Sequence, residues 1–177
     1  MTDTISISSS TIGTITTAPV THYKLEHLLT FTSDHRLKNI HKINSEVYQK
    51  IANLEKQNKL FVQDIILHID GGSVKLLEDG SLNIVETYKF KDNNLLSIFD
   101  LTGKFRTVNS LLVLVTQDKR RDPKTGKLVS SGSNPDVNIF QCPNRMQTAS
   151  IIRKDIQAAL NDFENYVRLW GWVEKKI

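Results

Sequence analysis

The sequence predicts an α+β fold: a seven-stranded antiparallel β-sandwich capped by a C-terminal α-helix, with an additional helix after the first strand. Three observations predict it. Between residues 146 and 170, Ile152, Ile156, Leu160, Phe163, Val167 and Trp170 recur at gaps of four, four, three, four and three, which aligns them on one helix face. Residues 38–58 repeat that signature with Ile40, Ile43, Val47, Ile51 and Leu54. The remainder is a series of short apolar runs broken by Gly, Asp and Asn, the pattern of strands and turns. Six large apolar residues on the last helix, at roughly 1.5 to 3 kcal/mol each, give about 10 kcal/mol of gross burial against a sheet.

Taken in order, residues 1–21 hold eleven Ser/Thr and one charge, Asp3, and are expected to form a disordered tail, because such a segment buries too little apolar surface to offset its ordering entropy. From His22 to Thr32, Tyr23, Leu25, His27, Leu29 and Phe31 alternate with more polar residues as a first strand. The helix at 38–58 follows, with Lys42, Glu46, Lys50 and Glu55 outward. Strands are expected at 60–70, 73–78, 82–90, 95–101, 111–116 and 137–142, with Gly71-Gly72 as one tight turn and Asp79-Gly80 as a two-residue hairpin turn. Residues 117–136 read as a long surface loop with a basic tip. The domain layout is thus a tail at 1–21, a folded unit at 22–170 and an extension at 171–177.

The chain has 177 residues, 39% apolar and 24% charged, in keeping with one domain. A net charge of +4 permits a basic patch without the dense clustering of nucleic-acid readers, so no nucleic-acid partner is expected. The lone Cys142 excludes an internal disulfide and suits a reducing, intracellular compartment. Neither a secretory signal nor an apolar run of membrane-spanning length is present, and a soluble protein is expected.

Catalytic chemistry has no foothold. Gly71-Gly72 and Gly103 lack the spacing and lysine of a phosphate loop. The five histidines show no metal-ligand spacing, and His27 and His68 are expected to be structural. Cys142 is expected to be a buried, inert thiol, and Asp155 and Asp162 to lie on the solvent side of their helix. We therefore expect no enzyme, no metal and no cofactor.

The order of elements resembles a phosphotyrosine-binding domain of the pleckstrin-homology superfold. Tyr23-Lys24-Leu25-Glu26-His27-Leu28-Leu29-Thr30-Phe31, Val62-Gln63-Asp64-Ile65-Ile66-Leu67 and Ile139-Phe140-Gln141-Cys142 together resemble the domain of the epidermal growth factor receptor kinase substrate 8 family of cytoskeletal adaptors. The likeness covers residues 22–161, and Trp170-Gly171-Trp172 resembles a Trp-x-Trp element of that family. It implies a cytoplasmic, cortical or membrane-proximal adaptor that binds Asn-Pro-x-Tyr peptides of receptor or integrin tails, often without phosphate, and that links receptor signalling to actin. Actin capping or bundling, which the family places in other regions, is not assigned to these residues.

In such domains an extended peptide adds to the fifth strand, at a sheet edge beside the C-terminal helix. Carried onto this chain, the peptide site is Leu95, Leu96, Ser97, Ile98, Phe99 and Asp100 with Ile156, Leu160 and Phe163 as groove wall. Ile156 and Leu160 remain open between core and groove, and Phe163, nearer the helix end, is the anchor candidate. Ser97 and Ile98 fall on opposite faces of one strand. Phosphotyrosine would need paired arginines, and only Lys104 and Arg106 follow the fifth strand, so phosphate-independent recognition is expected. The alternative is a phosphoinositide or membrane-surface site at Lys119, Arg120, Arg121, Lys124 and Lys127.

Overall fold

A computed structural model of the chain describes residues 21–91, 93–102, 110–126, 128–130 and 132–173. Residues 1–20 of the Ser/Thr-rich tail, Lys104, Arg106, Lys127 and the last four residues of the extension lie outside the described residues. The elements are β1 (Thr21–Thr32), a 3-10 turn (Leu37–Asn39), α1 (Ile40–Lys56), β2 (Gln63–Ile69), β3 (Ser73–Glu78), β4 (Ile84–Lys89), β5 (Asn93–Thr102), β6 (Ser110–Arg121), β7 (Leu128–Ser130), β8 (Asp136–Gln141) and α2 (Ala149–Val173). Seven strands form the expected antiparallel sheet, in the order β4-β3-β2-β1-β8-β6-β5, and β7 pairs only with β6.

Both faces of the sheet are covered, which explains the uninterrupted apolar run of β6. Leu112 and Leu114 join Tyr23, Leu25, Leu67, Tyr88, Phe140, Ile152 and Ile156 in a core under α2. Leu111, Val113 and Val115 join Val137, Ile139 and the α1 residues Ile43, Val47 and Ile51 in a second core. A strand buried on both sides needs apolar residues at every position, not at alternate ones. The α1 helix ends in a Schellman-type cap: Asn58 adopts a left-handed φ of 51°, Asn58 N–H donates to Glu55 and Lys59 N–H to Leu54.

Four local expectations are corrected. Strand β1 does not keep one face inward throughout: the register slips between His27 and Leu29 where it pairs with β8, so Tyr23 and Leu25 serve the α2 core while Leu28, Leu29 and Phe31 serve the α1 core. The connection at Asp79-Gly80 is wider than two residues. Leu82 N–H donates to the Glu78 carbonyl, Ser81 Oγ lies 2.7 Å from Glu78 Oε2, and Leu82 itself takes a φ of 58°. These side-chain and backbone bonds close a five-residue loop in place of the tight turn.

The basic loop is partly a ribbon, since β6 runs on to Arg121 and pairs with β7 through Lys119↔Ser130, Arg120↔Val129 and Arg121↔Leu128. Lys119, Arg120 and Arg121 are thus strand residues; an outlying two-stranded ribbon need not show the alternation by which core strands are recognised. Finally, α2 outruns the sheet. Ile152 and Ile156 are fully buried and Leu160 and Phe163 only partly, while Val167 is 50% and Leu169 70% exposed. The gross burial expected from six residues falls to roughly half. The helix also continues through residue 170 to Val173.

Candidate functional site

Strand β5 ends the sheet, and among the described residues only β6 pairs with it, from Asn93↔Asp118 to Thr102↔Ser110. Its outer edge therefore offers unpaired backbone donors and acceptors. The register slips between Leu95 and Ser97, so Leu96 is an inserted residue that locally increases the twist.

Two contacts orient α2 against this strand. At its start, Ala149 N–H donates to Ser110 Oγ at 3.1 Å, and Ser110 is the β6 partner of Thr102, where β5 ends. Fourteen residues on, the Phe163 ring lies 5.8 Å from Phe90, three residues before β5 begins. The helix thus runs antiparallel to β5 along its length. A third tie fixes it laterally: Tyr23 OH donates to the Asp155 carboxylate. Burial, reinforced by the Asp155 bond and charge, pushes the Tyr23 phenol above its ordinary pKa. This corrects the expectation that Asp155 faces solvent; helical periodicity locates Asp155 on the helix but carries no sign of the β1 tyrosine that reaches it.

The residues expected to bind peptide divide into four groups. Ile156 is buried in the α2 core, as is Ile98 from the strand, so neither presents appreciable surface. Phe99 packs with the α1 core on the opposite face. Leu160 and Phe163 are partly buried at the edge of the α2 core and are the two wall residues that keep accessible surface. For Leu95, Leu96, Ser97 and Asp100 the backbone alone is described, and it lies on the free edge. What the described part of β5 offers a ligand is its main-chain edge. Phe90, which supports Phe163, carries no sequence signal for that role; its position next to a turn marks only the end of a strand.

The basic residues lie elsewhere on the same structure. Asn93 pairs with Asp118, and Lys119, Arg120 and Arg121 follow directly on β6, so the ribbon extends past the end at which β5 begins. Lys124 is exposed in the turn, where its N–H donates to Asp122 Oδ1 at 2.8 Å. A cavity of about 450 Å³ opens at the other end, by the start of α2, lined by Ser110, Gln141, Cys142, Asn144, Arg145 and Thr148. Cys142 beside it is buried, and desolvation pushes its thiol up to about 11 despite a bond to Ser110.

The histidines serve the sheet. His27 Nε2 lies 2.8 Å from Thr30 Oγ1, and burial lowers its pKa. His68 and His22 are cross-strand partners whose Nδ1 atoms are 3.3 Å apart. Burial first, then the neighbouring His22, lowers the pKa of His68. Among the described residues no group of three or more His, Cys, Asp or Glu is placed to hold a metal, and no helix is long and apolar enough to cross a membrane.

Comparison with known proteins gives a consistent result. The family model for the phosphotyrosine-binding domain matches residues 22–167. The chain is 28% identical to mouse epidermal growth factor receptor kinase substrate 8 over 143 residues, 81% of this chain and 15% of that protein. It is also 28% identical to human epidermal growth factor receptor kinase substrate 8-like protein 1 over 153 residues, 86% of this chain and 19% of the relative. The chain therefore spans less than a fifth of the length of these relatives. Among solved structures it is similar in fold to the C-terminal phosphotyrosine interaction domain of mouse APBB2, with a TM-score of 0.52 at 13% identity, covering 88% of this chain and 96% of that one. Because the family match runs from the second residue of β1 well into the last helix, and so takes in every strand and both helices, the chain belongs to the phosphotyrosine-binding domain family.

Proposed function

We propose that this domain is a non-catalytic adaptor module that binds Asn-Pro-x-Tyr peptides of receptor or integrin cytoplasmic tails by strand addition to β5, without requiring phosphate. The observation that carries the reading is the unpaired outer edge of β5 beside the part-exposed Leu160 and Phe163. Backbone pairing supplies affinity that is indifferent to sequence, and the apolar helix wall selects the side chains that follow. An antiparallel peptide is the better match, since antiparallel pairs are slightly more stable per residue. Lys104 and Arg106 are the residues a phosphate would meet in the loop after β5. In this reading residues 22–170 are the binding unit, which works at the cytoplasmic cortex and connects receptor tails to actin through regions present in its longer relatives.

The test is binding of fluorescent tail peptides, with and without phosphate, to wild type and to a Ser97→Pro variant shown by circular dichroism to fold. Proline removes a backbone donor and is tolerated mainly at edges. Saturable micromolar binding lost in the variant supports strand addition, and retained binding contradicts it.

A second reading has its own observation, the β6–β7 ribbon that includes Lys119, Arg120 and Arg121, with Lys124 and Lys127 close by in sequence. It makes this ribbon a phosphoinositide or membrane-surface site. Liposome binding that falls steeply with salt, and disappears when the five residues are neutralised, supports it; peptide binding that survives in the same variant separates the two sites.

A further inference from the structure

We propose that His22 and His68 form a zinc site that holds one Zn2+ between their Nδ1 atoms and clips β1 to β2. Strand register makes them direct antiparallel partners although 46 residues separate them, so spacing along the chain gives no sign of the pair. Directly opposed residues on one sheet face hold their Cβ atoms about 4.5 to 5.5 Å apart, close enough for two imidazoles to reach one ion. The Nδ1 atoms lie 3.3 Å apart, nearer than the ring centroids at 4.6 Å, so these nitrogens form the facing edges of the two rings. Two nitrogens bound at about 2.0 to 2.1 Å to a tetrahedral zinc are themselves about 3.3 to 3.4 Å apart. The pair therefore has the spacing of two zinc ligands.

The surroundings leave both nitrogens available. His22 and His68 alternate with Tyr23, Leu67 and Ile69, which face the α2 core, and so stand on the other face of the sheet, where His22 is exposed and His68 partly so. Burial, ahead of the neighbouring His22, lowers the His68 pKa and keeps that ring neutral near pH 7, the form that ligates. Its other nitrogen, Nε2, lies 3.8 Å from Asp70 Oδ2; a carboxylate on that side favours the tautomer with its proton on Nε2 and a free lone pair on Nδ1. Asp70 is held in place by Lys75 Nζ at 2.9 Å and by the Gly72 N–H at 2.9 Å. Lys75, which faces His68 from β3, is thus paired, and Asp70 offsets its repulsion of an approaching cation.

His27 shows the contrast. Its partners across the sheet are Gln63 and Phe140, not a second imidazole, and its Nε2 lies 2.8 Å from Thr30 Oγ1. At His22 and His68 the protein supplies two ligands, and water fills the remaining zinc positions. Because the ligands come from two strands and meet only when those strands pair, bound zinc favours the folded chain. The site is also independent of the peptide edge, since β8 and β6 lie between β1 and β5. A direct Nδ1–H···Nδ1 hydrogen bond is the competing use of the same 3.3 Å.

The experiment titrates the chelator-treated full chain with zinc chloride by calorimetry, beside His22→Gln and a control, His41→Gln. Both substituted residues are exposed, so both variants should fold, which circular dichroism verifies. Wild type and His41→Gln should bind one zinc per chain, and His22→Gln should lose saturable binding. Ring 1H–15N spectra of the wild type should show zinc shifting Nδ1 of His22 and His68, with the proton of each ring on Nε2. Saturating zinc should raise the urea midpoint of wild type and His41→Gln but not of His22→Gln. No saturable binding by wild type overturns the proposal and leaves the pair as a hydrogen bond. Equal binding by His22→Gln, or zinc shifts confined to other histidines, overturns it as well.

Discussion

Truncating Phe163 to alanine should separate recognition from folding, because its ring is divided between the core and the groove. The buried part packs 5.8 Å from Phe90 at an interplanar angle of 60°. Full burial of a phenylalanine is worth about 1.5 to 3 kcal/mol, and a tilted aromatic pair adds roughly 0.5 to 1.5 kcal/mol. With the exposed part discounted, Phe163→Ala should cost about 2 kcal/mol of stability. Ile156, two helical turns earlier on α2 and fully buried, should cost about 2 to 5 kcal/mol on truncation because a cavity remains. For binding the order should reverse. An aromatic anchor contributes at least about 2 kcal/mol, or roughly thirtyfold in Kd, whereas Ile156→Ala, corrected for its folded fraction, should stay within about threefold of wild type. Urea unfolding followed by far-ultraviolet circular dichroism gives the first ranking, and fluorescence anisotropy with an Asn-Pro-x-Tyr peptide gives the second. A folded Phe163→Ala protein with wild-type affinity would refute the assignment of the helix wall, as would an Ile156→Ala protein equally impaired in binding.

Three further outcomes are expected. Since burial and His22 lower the pKa of His68, the unfolded ring takes a proton at a pH where the folded ring is still neutral. Stability should be fully present above about pH 6.5 and decline as the pH falls from there through the folded pKa, with His27 acting in the same direction. The urea midpoint should thus drop between pH 7.5 and 5.5, and His68→Gln should flatten that drop; a midpoint that rises on acidification contradicts it. Cys142, its thiol pushed up to about 11, should react with a disulfide reagent at pH 7.5 about a hundredfold more slowly in the native state than in urea. Comparable rates would mean that the start of α2 opens readily. Asp155→Asn leaves the Tyr23 hydroxyl an acceptor and should cost under about 1.5 kcal/mol, whereas Asp155→Ala removes it and should cost about 1 to 3 kcal/mol, both measured by urea unfolding.

The periodic elements were legible because their residues each answer to a single environment. Ile43, Val47 and Ile51 face one core and announce α1; Ile152 and Ile156 do the same for α2. Where one element serves two environments, the pattern misleads. Leu28 is inserted in β1 and moves the following residues from one core to the other, so a strand that reads as a single alternation has two. The ribbon of β6 and β7 lies outside the main sheet and carries charges in place of alternation. The last turns of α2 keep the helical period of Val167 beyond the sheet edge, and periodicity alone does not report where the partner surface stops. At the candidate site the free edge of β5 follows from strand order, which the family resemblance supplied and composition did not. The Tyr23–Asp155 tie and the Phe90–Phe163 contact join residues far apart in sequence, and no local pattern encodes such pairs.

The central claim, that ligand enters as an additional strand on β5, is tested most directly by amide exchange in the wild-type chain with and without saturating Asn-Pro-x-Tyr peptide. The account predicts added protection at every second amide from Ser97 to Leu101, since alternate groups of an edge strand face outward. Amides of β4 from Ile84 to Lys89 and of the Lys119–Ser130 ribbon should keep their unliganded rates. Saturable binding that protects the ribbon or β4 while leaving β5 unchanged would contradict it.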